Sequence, residues 1–172
     1  MVKRVFTLFS IFFFCLSFSQ VKWLSMEKAL QLQSENPKKI FIQFYETSCK
    51  ACKKMDQTTY LNPQIQEYIN KHYYPVKFNI KSTENIQYKG QEFQFNSKSK
   101  LHDFALYMNV NLSPSMVFLD EKANPITILQ GGLTAIEINP YLHFFATDKH
   151  LKIKTKKDWE NYLLKFKARM KD

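Results

Sequence analysis

A nearly continuous apolar run at Lys39–Tyr45, KIFIQFY, is the feature that most limits how this chain can fold. After Lys39 only Gln43 interrupts it, so both faces of the strand that it predicts must be covered. Helical patterns lie on either side of this run along the chain. The sequence therefore predicts an α/β sandwich in which a mixed β-sheet has helices on both faces.

The other elements are predicted from periodicity and from start and stop signals. Helices are predicted at residues 25–36, 49–58, 64–72, 101–110, 140–145 and 155–170, the second of them capped by Thr47 or Ser48. Strands are predicted at residues 74–80, 116–119 and 126–129, with a β-hairpin over residues 86–95 that turns at Lys89-Gly90. His102 is expected on the surface of its helix.

Residues 1–19 have the three-part pattern of a secretory signal peptide. A short positive start is followed by an uncharged, mostly apolar stretch over residues 5–16, and small residues precede a cut before Gln20. A membrane anchor is the alternative, but this stretch is shorter than the roughly 20 residues that span a bilayer. We expect a periplasmic or secreted protein, with no stable membrane insertion after the signal is removed.

The expected mature chain keeps two cysteines, Cys49 and Cys52, in a C-x-x-C motif. They lie where the predicted strand gives way to a helix, and the free N–H groups and positive dipole end of a helix start stabilise an anion. Because the thiolate is the reactive form of cysteine, this position lowers the pKa of Cys49. We predict that Cys49 is the exposed nucleophile and that Cys52, one turn further in, resolves the mixed disulfide.

Three other uses of the C-x-x-C motif are weaker. A zinc site needs about four ligands, and the chain has no second cysteine pair and only scattered histidines. A purely structural disulfide would close a very short loop and stabilise little. Haem attachment requires C-x-x-C-H, whereas Lys53 follows Cys52. We therefore expect no metal and no cofactor.

A second signal is the tripeptide Ser113-Pro114-Ser115 before a predicted strand. A proline in that context can adopt a cis bond, although a trans proline at a strand start is commoner. With KIFIQFYETS, CKAC opening a helix, SPSMVFLD further along, a hairpin, Gly-Gly and a terminal helix, the chain resembles the thioredoxin superfamily. The similarity covers roughly residues 21–145 and is greatest to exported Gram-negative thioredoxin-like proteins, including the C-terminal domain of the transmembrane disulfide reductase.

This resemblance implies an exported thiol–disulfide oxidoreductase that exchanges disulfides with protein partners. It implies that Cys49 attacks, that Cys52 resolves, that Pro114 is a cis-proline facing them and that Ser113 and Tyr45 contact substrate. Partners are expected to be protein disulfides or dithiols and a membrane-bound electron donor. Reductase is the direction we favour, although the residues between the cysteines do not fix the reduction potential.

The sequence departs from the family pattern at Gln43, where many members have a buried Asp that accepts the proton of the second cysteine. The Gln43 amide is a candidate to order a water near Cys52. Glu46 is the nearest carboxylate, and it is either a substitute in proton transfer or a solvated loop acid. An alternative function is therefore a non-catalytic thioredoxin-like module that binds a protein partner.

We expect one domain over residues 20–172, with an insertion at 81–100 and a C-terminal helical extension at 150–172. The aromatic residues of the insertion either line a partner groove or, as we favour, pack on the domain, because two-stranded hairpins are marginal alone. The basic last helix has one apolar stripe, which favours docking on the domain over lying on a membrane. The net charge of +10 suggests nucleic acid, but export would separate the protein from it.

Overall fold

The structure is a computed structural model that describes residues 20–169. The predicted signal peptide and residues 170–172 lie outside the described residues. In chain order the elements are α1 (Met26–Glu35), β1 (Lys39–Tyr45), α2 (Lys50–Gln57), α3 (Pro63–His72), β2 (Tyr73–Asn79), β3 (Ile86–Tyr88), β4 (Gln91–Phe93), β5 (Phe95–Asn96), β6 (Leu101–His102), α4 (Asp103–Tyr107), β7 (Ser115–Leu119), β8 (Pro125–Gln130), α5 (Ala135–Ala146), a 3₁₀ turn (Lys149–Leu151) and α6 (Lys156–Arg169).

A four-stranded mixed sheet in the order β2-β1-β7-β8 forms the centre. Strand β1 pairs in parallel with β2 and antiparallel with β7, and β8 pairs antiparallel with β7 at one edge. Along β1 the side chains of Ile40, Ile42 and Phe44 join a core with α1 and α4. Phe41 joins a second core with α3, α5 and α6. The predicted α/β sandwich is therefore confirmed, because both faces of the sheet are covered.

The 81–100 segment contains the predicted hairpin, formed by β3 and β4. Tyr88 and Phe93 are buried, and their rings lie 5.3 and 5.8 Å from the ring of Phe104 in α4. The Tyr88 hydroxyl donates a hydrogen bond to the carbonyl of Ala123. These aromatic residues therefore pack on the domain and do not line an open groove.

Helix α4 is shorter than predicted, because Leu101 and His102 pair with β5 instead of beginning the helix. His102 is fully buried, so its expected surface position is wrong. Its Nδ1 accepts the backbone N–H of Phe104, which makes it the N-cap of α4. The pairing of β6 with β5, which helical periodicity does not register, sets this boundary.

Helix α5 begins five residues before the predicted start at Pro140. Thr134 and Glu137 form a capping box that starts the helix, and Pro140 lies inside it. Helix α6 docks on α5, as predicted: Trp159 stacks on Tyr141, and the Tyr162 hydroxyl donates to the Pro140 carbonyl at 2.8 Å.

Candidate active site

The cysteine pair lies at the carboxyl end of β1, at the start of α2. Cys49 has an extended backbone and is itself the N-cap of α2, so the predicted caps Thr47 and Ser48 are wrong. The Cys49 Sγ accepts the backbone N–H of Cys52 at 3.0 Å, in the place that a hydroxyl or carboxylate oxygen occupies in an ordinary cap. The Ser48 hydroxyl instead donates to the carboxylate of Glu46.

Cys49 and Cys52 are joined by a disulfide, with their Cα atoms 5.3 Å apart. Cys52 is 3% exposed, whereas Cys49 is only partly buried. An incoming sulfur atom therefore meets Cys49 first. When the bond is reduced, a thiolate at Cys49 would face the N–H groups of the first turn of α2, which favour an anion.

Three lysines on the outer face of α2 add positive charge next to the pair: Lys50, Lys53 and Lys54. Within residues 20–169, none of the three forms an ion pair with a carboxylate. Their charge is therefore not cancelled by a bound partner group, and it favours the thiolate form of a reduced cysteine.

Pro114 follows a cis peptide bond from Ser113, at the turn before β7. The carbonyl of Pro114 accepts the backbone N–H of Gly131 at 2.9 Å, which fixes the end of β8 beside it. A methyl group on Gly132 would lie 3.8 Å from Ala51 Cβ and 3.9 Å from Pro114 Cγ. Gly132, one of the two glycines in the family resemblance, therefore lies next to both Ala51, within the C-x-x-C motif, and the cis-proline.

The other predicted substrate residues flank this group. Ser113 is half-buried in the turn before β7. Tyr45 is half-buried at the end of β1, and the ammonium group of Lys77 lies 5.0 Å from its ring centroid. The same ammonium group lies 2.8 Å from both carboxylate oxygens of Asp56, which is one turn after Cys52 in α2.

Gln43, at the departure from the family pattern, is buried and has internal partners. Its Oε1 accepts the hydroxyl of Tyr60, and its Nε2 donates to the carbonyl of Phe44 at 3.2 Å. Burial raises the pKa of Tyr60 well above its ordinary value, so the phenol stays protonated and remains a donor. The Gln43 amide, which is a candidate to order a water near Cys52, therefore has its oxygen hydrogen-bonded to Tyr60. Sequence reasoning missed it because the partner comes from a loop after α2.

Glu46 lies beside the motif and points toward Lys81. Its carboxylate accepts from the Lys81 ammonium group at 2.7 Å and from the Ser48 hydroxyl. These two hydrogen bonds lower the pKa of Glu46, which makes it a weaker proton acceptor than an unpaired glutamate. Its role in proton transfer stays a prediction, which Glu46→Gln can test.

Residues 20–169 contain neither a metal-binding cluster nor a membrane-spanning helix. No group of three or more His, Cys, Asp and Glu side chains there is arranged to hold a metal ion. In the same residues, every helix is too short or too polar to cross a membrane.

Comparison with protein-family models matched residues 26–146 to the thioredoxin-like domain. The chain belongs to the thioredoxin-like family. The matched segment contains the cysteine pair, the cis-proline and Gly132, and it ends at the last residue of α5. The fold and family expected from KIFIQFYETS, CKAC and SPSMVFLD are therefore confirmed.

Solved structures share this thioredoxin-like fold at low sequence identity. A thioredoxin-fold protein from Helicobacter pylori is 19% identical, with a TM-score of 0.60 over 78% of this chain and 87% of that chain. A thioredoxin from Thermus thermophilus is 18% identical, with a TM-score of 0.57 over 73% of this chain and 87% of that chain. A DsbH oxidoreductase is 18% identical, with a TM-score of 0.51 over 78% and 87%. No curated protein matched the sequence.

Proposed function

We propose that this thioredoxin-like protein is an exported thiol–disulfide oxidoreductase that reduces disulfides in protein partners. The observation that carries the proposal is the cysteine pair at the start of α2, with the more accessible Cys49 as the N-cap and Cys52 buried behind it. The fold is shared with a structure described as an oxidoreductase, which supports this reaction class.

In the reaction, the Cys49 thiolate attacks one sulfur of a substrate disulfide. A bond forms between Cys49 and that sulfur, and the other substrate sulfur leaves as a thiolate that takes up a proton. Cys52 then loses its proton and attacks the Cys49 sulfur, which forms the Cys49–Cys52 disulfide and releases the second substrate thiol. The substrate gains two electrons and two protons; the cysteine pair supplies both electrons and the proton of Cys52, and solvent supplies the other proton.

Pro114, Ser113 and Tyr45 are the residues that we propose to contact the substrate chain. A Cβ on Gly132 would contact both Ala51, within the C-x-x-C motif, and Pro114, which supports placing an incoming strand beside these residues. The backbone on either side of the cis bond is the proposed partner for hydrogen bonds with that strand. Tyr45 would contribute an aromatic surface at the edge of the site.

Each turnover leaves the pair oxidised, so the proposed reductase needs a dithiol donor. We propose a membrane-bound donor outside the cytoplasm, in keeping with the signal-peptide pattern of residues 1–19. The proposed mature protein is one domain over residues 20–172, with its insertion at 81–100 and its helical extension at 150–172.

Trapping tests the assignment of the two cysteines. Cys52→Ser should accumulate mixed disulfides between Cys49 and substrate proteins, because the resolving thiol is missing. Cys49→Ser is the matched control and should trap far less, since its remaining thiol is buried. Equal trapping by both variants, or none by either, would contradict the proposed roles.

The reduction potential of the pair tests the direction of electron flow. A potential near or below the value of about −270 mV known for thioredoxin is expected for a reductase. A reduction potential near the value of about −120 mV known for a strong disulfide oxidant would show that the protein forms disulfides instead.

A further inference from the structure

The positive charge of the chain is concentrated after Ala146, where the match to the thioredoxin-like family ends. Residues 149–172 contain nine Lys and Arg residues and three acidic residues. Residues 20–148 contain fourteen Lys and Arg residues and twelve acidic residues. The thioredoxin-like domain is thus nearly balanced in charge, and the C-terminal segment carries most of the net +10.

Part of this charge surrounds an open cleft of about 530 Å³ between the 3₁₀ turn and α6. The cleft is lined by three lysines and three apolar side chains: Lys149, Lys152 and Lys165, with Ile153, Tyr162 and Phe166. Asp158 also lines it, but its carboxylate accepts the backbone N–H and the hydroxyl of Thr155 at the start of α6. Within the described part of the chain, none of the three lysines forms an ion pair.

Two large apolar side chains of the C-terminal segment project into solvent. Leu151 is 62% exposed and Leu164 is 67% exposed. Each is next in sequence to a lysine of the cleft, Lys152 and Lys165. Exposed leucines among lysines are typical of surfaces that bind at the boundary between lipid headgroups and acyl chains.

We propose that this C-terminal surface docks on a bilayer that contains anionic lipids. The lysines would lie at the headgroup phosphates, with Leu151 and Leu164 reaching below them. An acidic protein is a less suitable partner, because lysine is depleted from protein–protein interfaces and all the cations among residues 149–166 are lysines. The apolar stripe of α6 is already used against α5, so docking is superficial and involves no insertion of the helix.

Docking there leaves the cysteine pair accessible. The start of the C-terminal segment is fixed at the first residue of β1, because the Lys39 ammonium group lies 2.8 Å from the carboxylate of Asp148. Cys49 follows the opposite end of β1, and a seven-residue strand is about 20 Å long. The proposed lipid contact and the proposed redox site are therefore at opposite ends of the strand.

Co-sedimentation of the mature chain with vesicles tests the proposal. We expect binding to phosphatidylcholine vesicles that contain phosphatidylglycerol, little binding to phosphatidylcholine alone, and loss of binding in high salt. Replacing Lys149, Lys152 and Lys165 together by Gln should weaken binding on the order of 100-fold, since each lysine near the membrane surface contributes about fivefold.

Matched variants distinguish binding through this surface from a general effect of net charge on binding. The corresponding triple Arg variant should keep binding, and Gln at Lys50, Lys53 and Lys54 removes the same charge from α2 and should change binding much less. Replacing Leu151 and Leu164 by Ser should weaken binding by roughly tenfold or more. Thermal unfolding of each variant checks that α6 remains docked.

Four results would overturn the proposal: no binding to anionic vesicles at low salt, equal binding to both kinds of vesicle, an equal loss in the α2 control, or binding unaffected by the leucine replacements. Tighter binding to duplex DNA or to a poly-glutamate peptide than to anionic vesicles would also overturn it. The disulfide-exchange rate with a soluble substrate should be unchanged in the Lys149, Lys152 and Lys165 variant, so this test is independent of the proposed redox function.

Discussion

Removal of the Tyr60 hydroxyl should destabilise the protein out of proportion to its size. Tyr60→Phe keeps the ring, which contacts Trp23 edge-on at 5.1 Å and lies 6.4 Å from Phe41. The variant takes away the hydroxyl that Gln43 Oε1 accepts, and Gln43 is 1% exposed, so water does not readily replace it. A buried acceptor without a partner costs about 1–3 kcal/mol, and we expect a loss of about 2 kcal/mol.

A double-mutant cycle isolates this hydrogen bond from the packing of the two side chains. Gln43→Leu alone leaves the buried Tyr60 hydroxyl without its acceptor and should cost a similar amount. The double variant replaces both polar partners by apolar groups and should recover part of the loss, because no group remains unsatisfied. We expect a coupling energy of at least about 1 kcal/mol.

Urea unfolding of the oxidised protein, followed by tryptophan fluorescence, measures these differences. With a slope of about 2 kcal/mol per molar urea, the Tyr60→Phe midpoint should fall by about 1 M. If the two substitutions are additive within about 0.5 kcal/mol, the hydrogen bond does not stabilise the site and our reasoning is refuted.

Three further predictions concern other parts of the structure. Burial lowers the pKa of His143 to about 4, below its ordinary value of 6.5. The unfolded chain therefore binds more protons between these values, and stability should fall as pH drops from about 6.5 to about 4. We expect a loss of about 1–2 kcal/mol, less than the full pKa difference implies, because the imidazole is only partly buried and solvent screens it. Urea titrations across that range should show a weaker pH dependence for His143→Phe, and an unchanged one would contradict this origin. Gly131 has a φ of +94°, so Gly131→Ala should lower the free energy of unfolding by about 1–2 kcal/mol. Gly132→Val should instead leave stability unchanged and slow the reduction of insulin by roughly tenfold. The opposite pattern would show that Gly132 does not border the substrate path. Tyr162→Phe should lower the free energy of unfolding by about 1 kcal/mol, because its hydroxyl donates to Pro140; no change in a urea titration would exclude a contribution from that bond.

The central fold could be predicted because its signals are local. The apolar run of β1, the cysteines at a helix start and the proline before β7 each lie within a few residues, and the family resemblance places them in one topology. Helix α1 begins where it is predicted to, since the Ser25 hydroxyl caps it by accepting the backbone N–H of Lys28. Where the deciding residues are neighbours in the chain, the prediction succeeds.

Sequence-based predictions fail where the position of a residue or the end of a helix depends on a contact that local patterns do not show. The buried position of His102 depends on the pairing of Leu101 with Asn96 and on the carbonyl of Glu84, which bonds to His102 Nε2. The predicted start of α5 at Pro140 is wrong, although Thr134 and Glu137 carry a capping box in the sequence itself.

The same distinction applies to the candidate site. Position and residue type indicated the two cysteines and Pro114. The residues that complete their surroundings come from elsewhere in the chain, as Tyr60 does for Gln43 and Gly132 does for Pro114. Such contacts between residues far apart in sequence have no pattern in a single sequence and become visible only in the folded structure.

The burial of Tyr88 and Phe93 has a consequence for how the domain unfolds. A segment that contributes two large rings to the core shared with Phe104 cannot open without exposing that core to water. Local opening of residues 86–93 is therefore nearly as costly as opening the adjacent sheet, and their amide hydrogens should exchange with solvent on the slow timescale of global unfolding. What looks like an added loop in the sequence belongs to the cooperative unit, so the domain cannot be trimmed there without loss of stability.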